Sequence, residues 1–230
     1  MMSYMGLCGV LIFLIILCLY PFGDKYVFGF LKLACWFFER TLLNSDIYYY
    51  SKIKKNTNYV FMPNHQSYLD CLIAYLVPGN IQGIAAGIVE KMPVIGRILK
   101  VMGVLFVNID GKKNSIVDRT VEKLKADHSR SLMIFPEGGR FFDGIFHTEK
   151  VRSGGFHIAK QTGYPIIPIY LTFGNVVNDP KKEYNFWGKT CILVGETITT
   201  ENKEVDIIIE EYVREMKRLE NLSNAYYTRE

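Results

Sequence analysis

No Asp, Glu, Lys or Arg occurs between Met1 and Gly23. About 20 apolar residues at 1.5 Å each are enough to cross the hydrocarbon layer of a bilayer, so this segment, with GLCGVLIFLIILCLY at its centre, reads as a retained membrane anchor. A secretory signal peptide is the competing reading, but the positively charged n-region is missing and YPFGDKYVF offers no small-x-small cleavage site. The five cysteines, Cys8, Cys18, Cys35, Cys71 and Cys191, are odd in number and lack C-x-x-C spacing. They suggest neither a disulfide framework nor a zinc site, and read as packing residues in a reducing compartment. No Lys/Arg run is dense enough for a nucleic-acid footprint; the formal net charge of +4 fits a mild attraction to anionic lipid surfaces. Repeats and low-complexity segments are also missing.

What is present is apolar and aromatic: 49% of residues are hydrophobic, with 15 Tyr and 15 Phe in a chain of 230 residues. That length suits one well-buried domain with appendages. Residues 26–38, YVFGFLKLACWFF, are too short to span a bilayer alone and suit its headgroup boundary as an interfacial helix. Lys25, Lys32 and Arg40 follow the first apolar segment and nothing basic precedes it, which by the positive-inside tendency puts the bulk of the chain in the cytoplasm.

The expected organisation is an anchor over residues 1–40, a polar connector over 41–58, a catalytic-sized domain over 59–220 and a polar, frayed tail over 221–230. Within the domain, short apolar runs at 59–62, 83–86, 104–108, 131–135, 166–172 and 190–194 alternate with helical patterns at 68–76, 94–102, 115–125, 155–161 and 205–220. This alternation predicts an α/β domain with a single mixed sheet flanked by helices. In the last helix Val205, Ile208, Ile209, Tyr212, Val213, Met216 and Leu219 recur at three and four, giving one apolar face. The apolar helix at 94–102, punctuated by Arg97 and Lys100, reads equally as a half-buried surface helix or as one lying against the bilayer.

Chemistry concentrates at three stretches. In NHQSYLD, Asn64 to Asp70, the S-x-x-D pattern starts a helix at Ser67 and makes Asp70 a capping carboxylate. His65, two positions before the cap, can fold over the first turn to meet Asp70; a carboxylate on one ring nitrogen fixes the tautomer and leaves the other to take a proton. No G-x-S-x-G elbow occurs and Cys71 points to the core side of the helix, so the hydroxyl to be activated belongs to a substrate. In LMIFPEGGR, Glu137, Gly138, Gly139 and Arg140 follow an apolar strand; glycines admit close backbone approach to a ligand, and an arginine fork suits phosphate. Alone, EGGR is a tight turn with a solvated ion pair. In VRSGGFHIAK, Arg152 precedes a helix start, a ready anion site, while His157 reads as a packing residue.

Together these stretches resemble the glycerolipid acyltransferase family, of the 1-acyl-sn-glycerol-3-phosphate (lysophosphatidic acid) acyltransferase type. NHQSYLD resembles its N-H-x-S-x-x-D block and IFPEGGR its F-P-E-G-T-R block; KMPVIG before GVLFVNID resembles the approach to its second block, and KVRSGGFHIAKQTGYPIIPIYL its Lys-x-Gly and proline-centred segments. The resemblance runs in order from Tyr59 to Leu171. Gly139 stands where that family has Thr, and Ile109 where its second block has an Arg thought to hold the acceptor's phosphate, so Lys112 or Lys113 is the candidate replacement.

The resemblance implies a membrane-bound acyltransferase in which His65, oriented by Asp70, is the general base. Asn64, Glu137, Gly138, Arg140, Arg152 and Lys112 would bind substrate, and a backbone N–H near Gly138 would serve the oxyanion. It implies no resident cofactor or metal. The acyl donor is a thioester of coenzyme A or acyl carrier protein, and the acceptor a lysophospholipid, first 1-acylglycerol-3-phosphate; the partners are substrates and membrane lipids, not nucleic acid. Two alternatives are an acyltransferase for another lysophospholipid headgroup and a non-catalytic lipid-binding member of the fold.

Overall fold

A computed structural model describes residues 26, 29–30, 33, 45–66, 70, 77, 81–92, 96, 99–100, 103–107, 113–141, 143–172 and 190–227. Most of the expected anchor over 1–40 and of the helices expected at 68–76 and 94–102 lies outside these residues, as do Ile109 and Lys112. Among the described residues no helix is long and apolar enough to cross a membrane.

Seven strands form one sheet: β1 (Ser45–Tyr49), β2 (Val60–Pro63), β3 (Ile81–Ala86), β4 (Leu105–Val107), β5 (Ser131–Met133), β6 (Ile166–Thr172) and β7 (Thr190–Val194), in the order β1-β7-β6-β2-β5-β3-β4. Strands β2 to β6 run parallel; β7 is antiparallel to β6, and β1 runs with β7. The sheet is mixed, as its sequence predicts. Among the described residues the α-helices include α1 (Gly87–Glu90), α2 (Lys113–Ala126), α3 (Gly154–Thr162) and α4 (Val205–Tyr227).

The central strand β2 explains its own composition. Val60 and Met62 enter one core with Leu124, Leu132, Phe156, Tyr212 and Met216, beneath α2, α3 and α4. Tyr59 and Phe61 enter a second core on the opposite face with Ile167, Ile169 and Ile192. Because successive side chains alternate across a strand, a strand covered on both faces reads as an unbroken apolar run. That run ends at Pro63, and the chain leaves the sheet at the C-terminal edge of the parallel strands, where α/β sheets bind ligands.

On α4, Ile208, Tyr212, Met216 and Leu219 are fully buried, as their spacing predicts. Helix α3 comes unusually close to the sheet at Gly155, where an added Cβ would lie 3.0 Å from Met62 Cε and 3.1 Å from Ile134 Cγ2. Gly155→Ala is therefore expected to lower stability by about 1–3 kcal/mol through overpacking, read as a reduced urea midpoint at unchanged m-value.

Two stretches correct the sequence reading. The connector expected over 41–58 contains β1, paired in parallel with β7 from Ser45↔Thr190 to Tyr49↔Val194. The tail expected from residue 221 continues α4 to Tyr227, because Ser223 is buried and the Tyr226 ring packs edge-on against Tyr48 at 6.0 Å.

Candidate active site

The end of β2 is tied down before any chemistry is set. Asn64 is fully buried, its Nδ2 donating to Leu171 O at 3.0 Å and its Oδ1 accepting from Leu171 N at 2.7 Å. Both ends of the amide thus bind β6. The sequence reading assigned Asn64 to the substrate; the structure makes it the anchor of the loop, because its amide is bonded to main chain inside the core.

One residue on, the His65 ring projects from this anchored point. Its Nδ1 lies 2.6 Å from Oδ2 of Asp70, which is fully buried, while the His65 side chain keeps 20% of its surface exposed. The same oxygen accepts the Gln66 N–H at 2.7 Å, so Asp70 acts as a local cap and as the partner of His65 at once. A carboxylate at Nδ1 assigns the proton to that nitrogen, which leaves Nε2 as the basic lone pair. The Phe135 ring stacks on the imidazole, with centroids 4.0 Å apart and planes 21° apart, fixing its second orientation.

Glu137 comes from the turn after β5 and is buried. Its Oε2 accepts the His65 main-chain N–H at 2.8 Å and its Oε1 the His147 main-chain N–H at 3.1 Å. Burial pushes its carboxyl up to about 7 against the pull of those two N–H groups. Glu137 therefore holds the loop that bears His65. The sequence reading placed Glu137 on the substrate; what it contacts in the protein is the backbone of His65 and His147.

Gly138 has φ +65°, and an added Cβ there would lie 2.5 Å from Arg152 Nε. The Arg152 side chain thus crosses the EGGR turn, and its main-chain N–H donates to Pro136 O at 2.9 Å. Arg140 and Arg152 are both exposed. Arg140 ends the turn that the Arg152 side chain crosses, so both cations belong to the segment that follows β5, and guanidinium groups suit an anionic ligand. Gly138's own N–H donates to Phe135 O at 3.2 Å, closing the turn. His157, expected as a packing residue, is exposed, because α3 buries its neighbours Phe156 and Ile158 instead.

Sequence reasoning missed His147. Its ring lies between Asp143 and Glu149, and the flanking carboxylates at −4 and +2 were the only signal of this.

With these positions established, the Acyltransferase family model matches residues 45–172, from the first residue of β1 to the last of β6. The chain belongs to the acyltransferase family. It is 28% identical over 155 residues to the 1-acyl-sn-glycerol-3-phosphate acyltransferase of Saccharomyces cerevisiae, covering 65% of this chain and 50% of that protein. To the protein of the same name from Borreliella burgdorferi it is 33% identical over 124 residues, covering 52% of this chain and 47% of that one. The chain spans about half the length of the curated relatives it matches. The crystal structure of the 1-acyl-sn-glycerophosphate (LPA) acyltransferase PlsC from Thermotoga maritima superposes with a TM-score of 0.67 at 22% identity, covering 97% of this chain and 98% of that one. That likeness establishes the shared fold.

Proposed function

We propose that this protein transfers an acyl group from an acyl thioester to the free hydroxyl of a lysophospholipid, with 1-acylglycerol-3-phosphate as the first acceptor and phosphatidic acid as product. The observation that carries the reading is the 2.6 Å contact from His65 Nδ1 to buried Asp70, on a loop held at both its N–H and its C=O. His65 Nε2 takes the acceptor's hydroxyl proton as that oxygen attacks the thioester carbonyl. The tetrahedral intermediate collapses by breaking the C–S bond, and the departing sulfur recovers the proton. Free thiols have a pKa near 8.5, so the thiolate leaves without metal assistance or a resident cofactor. Asp70 stabilises the imidazolium formed between the two steps.

Arg140 and Arg152 are proposed to receive the acceptor's phosphate, with Lys112 as a third cation in place of the arginine that Ile109 replaces. The 23-residue uncharged N-terminal segment would keep the domain on the bilayer that holds acceptor and product, with the site on the cytoplasmic side.

The test is transfer from a labelled acyl-coenzyme A, and then from acyl carrier protein, to a panel of lysophospholipids by the detergent-solubilised full chain. Transfer to lysophosphatidic acid above other headgroups is the expected result; no transfer from either donor to any acceptor would sink the reading. Arg152→Ala is expected to raise the acceptor KM about tenfold, the scale of one lost charge-assisted contact, with the donor KM unchanged.

A further inference from the structure

Beyond the base and its carboxylate, residues 141–150 carry a second imidazole that the mechanism above does not use. The His147 side chain is 21% exposed; its Nε2 lies 2.8 Å from Asp143 Oδ2 and its Nδ1 3.2 Å from Glu149 Oε1. Its ring also packs on Phe141, with centroids 4.4 Å apart. This segment reaches the catalytic loop twice. The Phe141 N–H donates to His65 O at 2.9 Å, and the His147 N–H donates to Glu137, whose other oxygen holds the His65 N–H.

We propose that His147 is a positioning residue for His65: its ring, tied to Asp143 and Glu149 and packed on Phe141, fixes the segment whose main-chain N–H groups reach His65 directly at its C=O and, through Glu137, at its N–H. This rests on the reading of His65 as the general base. A neutral imidazole has one N–H and can donate to only one of two carboxylates, whereas the imidazolium donates to both. Desolvation pulls His147 toward the neutral form, but the hydrogen bonds and charges of Asp143 and Glu149 outweigh it and hold the ring protonated to higher pH than usual. Among the described residues the other charged groups near the segment include Arg140, which directly precedes it, Glu137 from the β5 turn, Lys150 beside Glu149, and Glu220 on α4, which accepts the Phe146 N–H at 3.0 Å.

The sign follows from a folded pKa raised above the unfolded one. The double clamp is complete below about pH 6.5, the ordinary histidine value, and is lost as pH rises through the higher folded value. Above that, one carboxylate loses its donor, the segment loosens, and the His65 backbone loses its support.

The experiment uses the detergent-solubilised full chain as wild type, His147→Ala and His147→Gln, with two readouts: kcat and KM for acyl transfer, and the His65 backbone amide resonance across pH. In His147→Ala, kcat is expected to fall about ten- to a hundredfold, the scale of an ångström-sized misplacement, with little change in KM. The His65 amide is expected to shift in that variant. His147→Gln keeps a donor group, on a single nitrogen, that does not titrate; it should recover part of kcat and remove the pH dependence of the His65 amide that tracks the His147 ring. An unchanged kcat and an unchanged His65 amide in His147→Ala would overturn the proposal, as would a lowered melting temperature with an unmoved His65 amide. If His147→Ala does not fold, His147→Gln decides by the same readouts. Absence of transfer by the wild type would remove the acyl-transfer reading alone, and the amide resonance would still decide whether His147 positions His65.

Discussion

Replacing His65 by alanine is expected to slow acyl transfer about 10²- to 10⁴-fold, the range that positioned general bases supply. The effect should fall on kcat with the KM for both substrates nearly unchanged, because the ring's contribution arises as the proton moves rather than on binding. The side chain is one-fifth exposed and Asn64 anchors the loop independently of it, so the variant should fold. Asp70→Asn is expected to fall in the same range for a different reason. Its amide presents either an oxygen without the negative charge that stabilises imidazolium, or an NH₂ that forces the proton onto Nε2 and removes the basic lone pair. Unlike His65, Asp70 also accepts the Gln66 N–H. Asp70→Asn should therefore lower the melting temperature as well, and the pair separates chemistry from loop stability. Steady-state rates with lysophosphatidic acid and acyl-coenzyme A check both; wild-type rates in His65→Ala would end the general-base mechanism.

How much of this was legible in the sequence depended on how local each contact is. The His65–Asp70 pair spans five positions, and a capping pattern was enough to suggest it. Strands β6 and β7 were read at their observed limits because both are buried along nearly their whole length, leaving continuous β-branched and aromatic runs. Strand β1 was not read, since Ser45–Tyr49 sits among charges at the sheet edge and its tyrosines 48 and 49 remain 42% and 47% exposed, so neither face shows a buried pattern. Its pairing comes from β7, about 145 residues downstream. The missed end of α4 is the same event seen from the other side: Tyr226 packs on Tyr48 and its hydroxyl bonds Asp46. Each segment is weak alone, and together they close the sheet edge.

Long-range polar contacts explain the remaining differences. Asn64 bonds Leu171 across 107 residues, and nothing near Asn64 announces a partner on β6. Glu137 bonds His65 across 72 residues; the ordered motifs placed both residues in one site, but could not show that the carboxylate holds the backbone of His65. Asn64, Asp70 and Glu137 form a mechanical frame around His65.

That frame gives Glu137 the second large expected effect. Glu137→Ala would leave the His65 and His147 N–H groups without their acceptor in a part-buried site, where each unpaired donor costs about 1–3 kcal/mol, so a loss of about 2–6 kcal/mol in unfolding free energy is expected. Acyl transfer should fall with it, because the support under His65 is gone. Glu137→Gln separates stability from charge. In the wild type the folded carboxyl titrates at about 7 against an ordinary value of 4.5, so between those limits the folded state binds more protons than the unfolded state. The slope of unfolding free energy with pH is then negative: this group's contribution is most favourable below about pH 4.5 and is lost as pH rises through 7. A glutamine at the same position does not titrate. The wild type should therefore lose on the order of 1–3 kcal/mol relative to Glu137→Gln between pH 4.5 and pH 8, measured by urea unfolding of the two proteins side by side. A stability difference that stays flat across that range would mean that the two N–H donors keep Glu137 ionised throughout, making it a fixed anionic anchor for the His65 loop.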